Sequence, residues 1–423
     1  MSTPSPERRP LRLAVYTDYE YCSDGVRRYG QRAFVVFLEA LRPHFQRFVL
    51  GGRFDPKPGS SHYPLHEQTE LVGLPHYESL GHPLSVARSL IVSVARFWRL
   101  LDEIDTVWVL GPYPHSVLLA WMTLLRRRTL VLGVRQDMPL YVRSRRPGRR
   151  WMHWSADLLE WIWRRLARRH ATVVVGPELE RKYLDAGACS VLASAVSLVS
   201  ERDLDAAERA VAGRDYSGDL TVLTVGRLDA EKNPLLLADI AARLGGGVAT
   251  RAGGDPGGGD SAGGDPGGGA PGGPGARRWR LLVVGDGPMR EQLAARIAEL
   301  GVQDRVELLG YVPIDGGLLD LYRSSHVFLH VSLTEGFPQV LVEAFASGLP
   351  TVATAVGGVR AAAEGAALLI EPGDAGAAAD ALTRIAEDDA LRGRLIEAGL
   401  ERARGGTLEA ATARLAEFLA EVR

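Results

Sequence analysis

Short apolar runs rich in valine and leucine alternate along the chain with longer segments whose apolar residues recur at helical spacing. In the first half, the strand candidates are LRLAVYTD, RFVLGG, DTVWVLG, RTLVLGV and ATVVVG, and the helix candidates include GVRRYGQRAFVVFLEALRP, SVARSLIVSVARFWRLLDEI and HSVLLAWMTLLRRR. Strands that are apolar along their whole length, with helices between them, are typical of a parallel sheet covered on both faces. The first half is therefore predicted to be a doubly wound α/β domain.

The same pattern restarts near Asp219. Its strand candidates are LTVLTVGRL, WRLLVVGDGP, RVELLGYV, HVFLHVS, PTVATAV and AALLIEP, whereas the tail from Ala375 onward has helical spacing only. The length of 423 residues exceeds what a single core usually supports. We therefore predict an α/β protein with two Rossmann-like, doubly wound domains that face a cleft.

Composition shifts give the domain boundaries. We place the N-terminal domain at 1–200, a polar hinge at 201–218 and the C-terminal domain at 219–400, followed by a C-terminal helix at 401–423 that packs back toward the N-terminal domain. Residues 245–278 are rich in glycine and proline, with the near-repeat GGDPGGG, and too few side chains to offset the entropy of ordering. They predict a disordered surface insertion. A phosphate-binding loop is the alternative, but the segment lacks the Lys-Ser/Thr pair of a P-loop.

The overall composition narrows the class of protein. The net charge of −1 argues against a nucleic-acid binder, and the apolar fraction of 46% is that of an ordinary soluble protein. Two cysteines, Cys22 and Cys189, provide neither a disulfide framework nor metal-ligand spacing. The chain has no signal-peptide core and no apolar run of about 18 residues, so we expect a cytoplasmic protein.

A pair of cations follows the first strand of the second half. In the stretch VGRLDAEKNP, Gly226 ends the strand, and Arg227 and Lys232 precede a helix whose N-terminal amides also attract anions. Ligands of doubly wound sheets bind beyond the carboxyl ends of the strands. The two cations therefore suit a diphosphate. The alternative is an ion-paired loop, because Asp229 and Glu231 lie next to them.

Two glutamates stand in the nearly uncharged stretch TEGFPQVLVEAFASGLP. Pro338 and Gly348 bracket a predicted helix at 338–347, which carries Glu343 and follows Glu335. This helix is apolar on almost every side and must be buried, where a lone carboxylate needs hydrogen-bond donors. The vicinal hydroxyl groups of a neutral polyol would supply them. The alternatives are that Glu343 pairs with one of the loop cations, or that Glu335 only caps the helix.

The second half as a whole resembles a known enzyme family. The stretch EGFPQVLVEAFASGLPTVATAVGG is similar to the E-x7-E signature of the retaining glycosyltransferases of family four, the glycosyl transferases group 1, which have the GT-B architecture of two Rossmann-like domains. VGRLDAEKNP, LLVVGDGPMREQL, VELLGYV and LYRSSHVFLHVSLTEGFP match the same family in order and spacing. The resemblance implies that 219–400 binds a nucleotide-sugar and that 1–200 is the acceptor side.

The resemblance also implies roles for individual residues. The catalytic candidates, which would act on the donor diphosphate and the transferred sugar, are Arg227, Lys232 and Glu335. The donor-binding candidates are Gly25, Gly226, Gly287, Tyr311, Val312, Gly336, Phe337 and Glu343. Among them, Glu343 would bind the ribose, and the backbone near Tyr311 would contact the base. The family needs no cofactor or metal, and the DLD stretch at 203–205 lies in the hinge, so no metal site is expected.

The first half departs from the family pattern. The loop after the first strand, YTDYEYCSDGVRRYG, has Gly25 where the family often has two glycines, and GVRQDMP has no histidine. The acceptor-side candidates are His115, Arg135 and Asp137. The function that the resemblance implies is retaining transfer of a sugar from a nucleoside diphosphate sugar to a hydroxyl acceptor on a glycan, a lipid-linked intermediate or a secondary metabolite. A GT-B epimerase and a noncatalytic sugar-nucleotide-binding or scaffold protein are the alternatives.

A basic, tryptophan-rich segment covers residues 143–170. It reads RSRRPGRRWMHWSADLLEWIWRRLARRH. One interpretation is an interfacial segment that contacts anionic lipid as a peripheral attachment at the inner face of the membrane. The other is an ordinary amphipathic helix preceded by a solvated basic loop.

Overall fold

A computed structural model describes residues 9–75, 93–146, 148–194, 197–245 and 278–422. They form two α/β domains, each with a largely parallel sheet between helices. This confirms the predicted fold class. No helix in these described ranges is long and apolar enough to cross a membrane.

The first domain contains a sheet of nine strands among the described residues. They are β1 (Arg9–Ser23), β2 (Arg28–Gly30), β3 (Phe45–Pro58), β4 (Tyr63–Pro64), β5 (Glu70–Pro75), β6 (Thr106–Gly111), β7 (Thr129–Val134), β8 (Thr172–Val174) and β9 (Val191–Ala193). The parallel strands run in the order β5-β3-β1-β6-β7-β8-β9, and β2 pairs antiparallel with both β1 and β4. The apolar strands β6, β7 and β8 are buried at the centre.

Helices cover both faces of this sheet. They are α1 (Phe34–Leu41), α2 (93–100), α3 (Pro114–Leu125), α4 (Met138–Arg145), α5 (Arg150–Ala167) and α6 (Pro177–Asp185). Helix α1 packs into one core, while α2, α3, α5 and α6 contribute to a second core on the opposite face. A short 3₁₀ turn, Arg42–His44, follows α1.

The start of the first domain differs from the sequence prediction. The segment predicted as the loop after the first strand is strand up to Ser23, and the helix predicted from Gly25 begins only at Phe34. The chain instead turns at 24–27 and returns as β2. Gly30 lets β2 pack closely on the start of α1, because a Cβ there would lie 2.4 Å from the Val35 side chain.

The second domain has six strands in the order β12-β11-β10-β13-β14-β15, all parallel. They are β10 (Leu220–Val225), β11 (Trp279–Val284), β12 (Val306–Gly310), β13 (Val327–His330), β14 (Thr351–Thr354) and β15 (Ala367–Ile370). The helices are α7 (Glu201–Ala212), α8 (Leu235–Gly245), α9 (Arg290–Glu299), α10 (Leu318–Ser324), α11 (Gln339–Ala346), α12 (Val359–Ala363), α13 (Ala375–Glu387), α14 (Asp389–Arg404) and α15 (Leu408–Glu421). Short 3₁₀ turns occupy Ala230–Lys232 and Ile314–Gly316.

Two segments connect the domains. The stretch proposed as a hinge contains α7, which starts with a capping box between Ser200 and Asp203 and packs on α10, α11 and α14. At the other end, α15 packs on α1, and Leu415 and Leu419 enter the core of the first domain. The insertion predicted at 245–278 lies outside the described residues except at its two ends.

Candidate active site

A pocket of ≈ 260 Å³ opens at the carboxyl ends of β10 and β13 in the second domain. Its walls include five residues that the sequence singled out: Gly226, Arg227, Lys232, Glu335 and Phe337. The pocket therefore lies where a doubly wound sheet normally binds its ligand. Gly287, Tyr311, Val312, Gly336 and Glu343 do not line it.

Close backbone packing shapes the floor of the pocket. Gly285, at φ +131, lies so near the loop after β10 that a Cβ would come within 1.9 Å of the Gly226 carbonyl oxygen. A Cβ on Gly287 would similarly meet the Leu228 backbone at 2.7 Å. Only glycine fits at these two positions. The predicted donor-binding Gly287 thus has a packing role in the structure, beneath the loop that carries the cations.

Arg227 is held by carboxylates. It forms ion pairs with Asp229 and with Glu231, the latter at 2.5 Å. Arg145 at the end of α4 reaches across from the first domain and contacts the same two carboxylates, at 2.7 Å and 3.4 Å. The ion-paired loop that we weighed as an alternative is therefore present, and it includes a cation from the other domain. A diphosphate that binds Arg227 has to compete with both acids.

Lys232 and Glu335 form the second ion pair of the pocket. Lys232 Nζ donates to Oε1 of Glu335 at 2.5 Å, and His330 Nε2 lies 3.1 Å from the same oxygen. Ser332 Oγ is 3.5 Å away from it. Burial alone would raise the pKa of Glu335, but the His330 hydrogen bond and the charge of Lys232 outweigh it and keep the pKa low. Glu335 is thus ionised, and all three contacts end on Oε1.

Glu343 lies in a different environment. It is buried on α11, and its Oε2 accepts a hydrogen bond from the Tyr322 hydroxyl at 3.0 Å. It pairs with neither Arg227 nor Lys232, so that alternative is wrong. Burial raises the pKa of Glu343 to about 7, because no cation compensates for the lost hydration. The two glutamates, which are eight residues apart, therefore differ in charge below neutral pH.

The Glu335 loop rests on a pair of glycines after β14. A Cβ on Gly358 would lie 1.8 Å from the Gly336 carbonyl oxygen, and one on Gly357 would lie 2.0 Å from that of Glu335. The Gly358 amide also donates to the Glu335 carbonyl at 3.2 Å. Gly336 is therefore fixed at the turn before α11, with Glu335 on its pocket side.

Three comparisons with known proteins bear on this architecture. Residues 275–402 match the family model described as glycosyl transferases group 1. This range contains Glu335 and Glu343 but begins beyond Lys232. Residues 275–402, which make up most of the second domain, are therefore similar to the group 1 glycosyltransferases.

A curated relative, the D-inositol 3-phosphate glycosyltransferase of Frankia alni, is 35% identical over 225 residues, which cover 51% of this chain and 48% of that protein. The chain spans less than half of the length of each of the curated relatives compared with it.

Solved structures match over nearly the whole chain. Sucrose-phosphate synthase from Thermosynechococcus elongatus has a TM-score of 0.69 and 19% identity, over 97% of this chain and 98% of that one. HepE of Anabaena, in complex with UDP, has a TM-score of 0.65 and 16% identity, over 97% and 100%. Such likeness concerns the fold, which is the GT-B architecture.

The second domain meets the first domain near the pocket. The Tyr311 hydroxyl lies 2.7 Å from that of Tyr63, and its ring lies 4.5 Å from the His62 ring. A Cβ on Gly176 would come within 3.3 Å of Phe337. Tyr311 therefore contacts the other domain in this structure, while the adjacent Val312 packs at the edge of the second-domain core. The assignment of Tyr311 to the base remains a prediction.

The candidates in the first domain do not gather beside the pocket of the second domain. Gly25 lies in the exposed turn between β1 and β2. His115 is buried in the first turn of α3, where burial lowers its pKa to about 4. Asp137 caps α4 and accepts from Lys182 at 2.9 Å. These contacts give Asp137 a structural role. The donor assignment of Gly25 and the acceptor assignments of His115 and Asp137 stay predictions.

Arg135 is the exception among these candidates. It follows β7 directly, and its guanidinium lies 4.1 Å above the Phe34 ring and 5.6 Å from the Tyr19 ring. Burial lowers its pKa to about 10. No carboxylate in the described ranges forms an ion pair with it. An anionic group of a ligand would have a cation available at this position.

Sequence reasoning missed two residues near the pocket. His330 is the last residue of β13 and lines the pocket of the second domain with Ser332 and Glu335. Its position at the end of a strand is the signal that would have identified it. Arg145 carries no such signal, because its partners Asp229 and Glu231 belong to the other domain.

Proposed function

We propose that the protein is a retaining glycosyltransferase, which moves a sugar from a nucleoside diphosphate sugar to a hydroxyl group. The observation that carries the proposal is the Lys232–Glu335 pair in the pocket of the second domain, whose residues 275–402 match the group 1 model. A cation of the kind that binds phosphate lies there beside a carboxylate of the kind that accepts from sugar hydroxyls. HepE of Anabaena has been crystallised with UDP-glucose, and UDP-sugars are therefore the first donors to test.

Each pocket residue has a distinct task in this proposal. Lys232 neutralises charge on the diphosphate, and Arg227 joins it once the phosphate displaces Asp229 and Glu231. Glu335 uses Oε2, which none of its hydrogen bonds within the described chain engages, to accept from hydroxyls of the transferred sugar. The same residue thus contacts both the cation and the substrate.

The transfer step follows from this arrangement. The bond between the sugar C1 and the diphosphate oxygen breaks, and a new bond forms between C1 and the acceptor oxygen on the same face. The acceptor proton passes to the leaving phosphate oxygen, so no protein nucleophile is required. The two cations provide the charge stabilisation, and we propose that no metal ion takes part. Glu343 is assigned to ribose binding by the family resemblance, and Tyr322 donates to only one of its two carboxylate oxygens, Oε2.

The test uses the full chain with UDP-, GDP- and ADP-sugars. Release of nucleoside diphosphate is followed with and without glycan or lipid extracts, in the presence and absence of EDTA. We expect release that depends on the acceptor and persists in EDTA, and a product whose anomeric configuration by NMR equals that of the donor. Isomerised sugar without an acceptor would indicate the epimerase, and binding without turnover the scaffold. An inverted product would overturn the retaining mechanism.

A further inference from the structure

A row of apolar side chains is exposed along α5. Its members lie three or four residues apart and therefore project from one side of the helix: Trp151, Trp154, Leu158 and Trp161. Their exposed fractions range from 43% at Leu158 to 72% at Trp154. The opposite side of α5, with Trp163, is buried against the sheet. This helix is thus apolar on both sides, which an ordinary amphipathic surface helix is not.

The neighbouring helix α3 extends this surface. It packs against α5, and the buried sides of both helices enter the same core, so their outer sides face the same direction. Trp121 is 53% exposed and Leu125 is 70% exposed on α3. We call the combined surface the tryptophan face; it consists of Trp121, Leu125, Trp151, Trp154, Leu158 and Trp161.

Arginines surround the tryptophan face. Segment 143–170 has nine arginines against two acids, although the whole chain has a net charge of −1. In the structure, some of these arginines form ion pairs and others do not. Arg143 pairs with Asp157, and Arg145 pairs with the loop carboxylates of the second domain. Exposed arginines without an ion pair in the described chain remain on α5 and just beyond it: Arg150, Arg165, Arg168 and Arg169.

A groove beside the face adds to this charge. It has a volume of ≈ 700 Å³ between α4, α5 and α6. Of its three acids, Asp137 and Glu160 are both paired with Lys182, and Asp157 is paired with Arg143. Arg164 and Arg165 point to the same groove without a carboxylate partner in the described part of the chain. The groove therefore has spare positive charge at the edge of an apolar surface.

We propose that the tryptophan face docks on an anionic phospholipid bilayer. Exposed tryptophans favour the boundary between headgroups and acyl chains, and arginines beside them attract lipid phosphates. A bilayer fits this face better than a second copy of the chain does, because two such faces in contact would bring their arginines together and repel each other. The inference does not rest on the proposed activity, since no residue of the pocket takes part in it.

The test measures binding of the full chain to vesicles by co-sedimentation at low salt. We expect vesicles with 30% phosphatidylglycerol to bind it about tenfold or more tightly than pure phosphatidylcholine. The double variant Trp154→Ser/Trp161→Ser should lose about tenfold in binding, and Arg165→Gln/Arg169→Gln should remove most of the preference for anionic vesicles. Val26→Ser and Arg394→Gln, which change exposed residues elsewhere, should bind as the unaltered chain does.

Three results would overturn the proposal. One is absence of binding to anionic vesicles by the unaltered chain, and another is full binding by the tryptophan variant with an unchanged melting temperature. The third is a dimer in light scattering that the tryptophan variant abolishes while vesicle binding stays the same. That result would assign the face to self-association. Donor binding in the pocket is measured in parallel and should be equal in all these variants.

Discussion

The pocket of the second domain and the outer helices of the first domain are both rich in charge, but they differ in how the charge is paired. In the pocket, Arg227 and Lys232 each have a carboxylate partner. On α5, arginines such as Arg165 have none within the described chain. In a concave site, paired charges hold their side chains in place. A charged ligand binds there by replacing one partner of the ion pair. Unpaired charges around an apolar face suit a broad anionic surface.

The largest expected effect concerns the paired site. Lys232→Ala and Glu335→Ala should each reduce turnover by about 10²-fold or more, because each removes a group that we propose to contact the diphosphate or the transferred sugar. Vesicle binding should remain unchanged in both. Turnover with the best donor and the melting temperature are measured together. Lys182→Ala, which removes a paired lysine outside the pocket, is the matched control. Turnover close to that of the unaltered chain in both variants would remove these residues from the site.

A second prediction separates the two glutamates by pH. Glu343 has a raised pKa of about 7, so its contribution to stability is fully present below the unfolded value of 4.5 and is lost as the pH rises through 7. The change in melting temperature caused by Glu343→Gln should therefore be a few degrees more positive at pH 8 than at pH 5. Each kcal/mol of stability corresponds to roughly 2–4 °C in melting temperature.

Glu335→Gln is the matched comparison. The pKa of Glu335 is lowered, so its stabilisation is present above the unfolded value and is lost as the pH falls through the folded one. This variant should lower the melting temperature at pH 8, since it breaks the ion pair with Lys232. Calorimetry from pH 5 to pH 8 measures both effects. Parallel pH curves for the two variants would contradict the difference in charge between the glutamates.

The sequence predicted the second domain better than the first. Its four inner strands are largely buried apolar runs, as a parallel sheet with helices on both faces requires, and the edge strands β12 and β15 are partly exposed. In the first domain, β2, β4 and β9 have two or three residues each, too few for periodicity to identify. The hairpin at 24–27 was therefore predicted as part of a helix.

The candidate site, too, could be predicted from the sequence only in part, for another reason. Arg227, Lys232 and Glu335 follow strands of one sheet, so their meeting could be inferred from strand ends alone. The protonation of Glu343 depends on burial without a cation, and the position of Arg145 depends on how the two domains meet. Neither depends on local sequence. The tryptophan face likewise needed the structure, because spacing alone does not tell which side of an amphipathic helix is buried.

Arg145 gives the smallest expected effect, and it links the two regions. It shares Asp229 and Glu231 with Arg227, so it draws both acids away from the cation that we assign to the diphosphate. Arg145→Ala leaves the acids to Arg227 alone and should weaken nucleoside diphosphate binding by about 1 kcal/mol, roughly fivefold. Titration calorimetry measures the Kd.

The control for Arg145 tests the route of the effect. In an Asp229→Asn background, one of the carboxylates that compete with the phosphate for Arg227 is gone. Arg145→Ala should therefore reduce the affinity for the nucleoside diphosphate less there than in the unaltered chain. Arg143→Ala, which breaks an ion pair of the same helix away from the pocket, should leave the Kd unchanged. An equal loss in both backgrounds would mean that Arg145 acts on the ligand by another path, such as direct contact with the phosphate. The first domain would then contribute to donor binding itself, and the contrast between a donor-binding second domain and a surface-binding first domain would have to be abandoned.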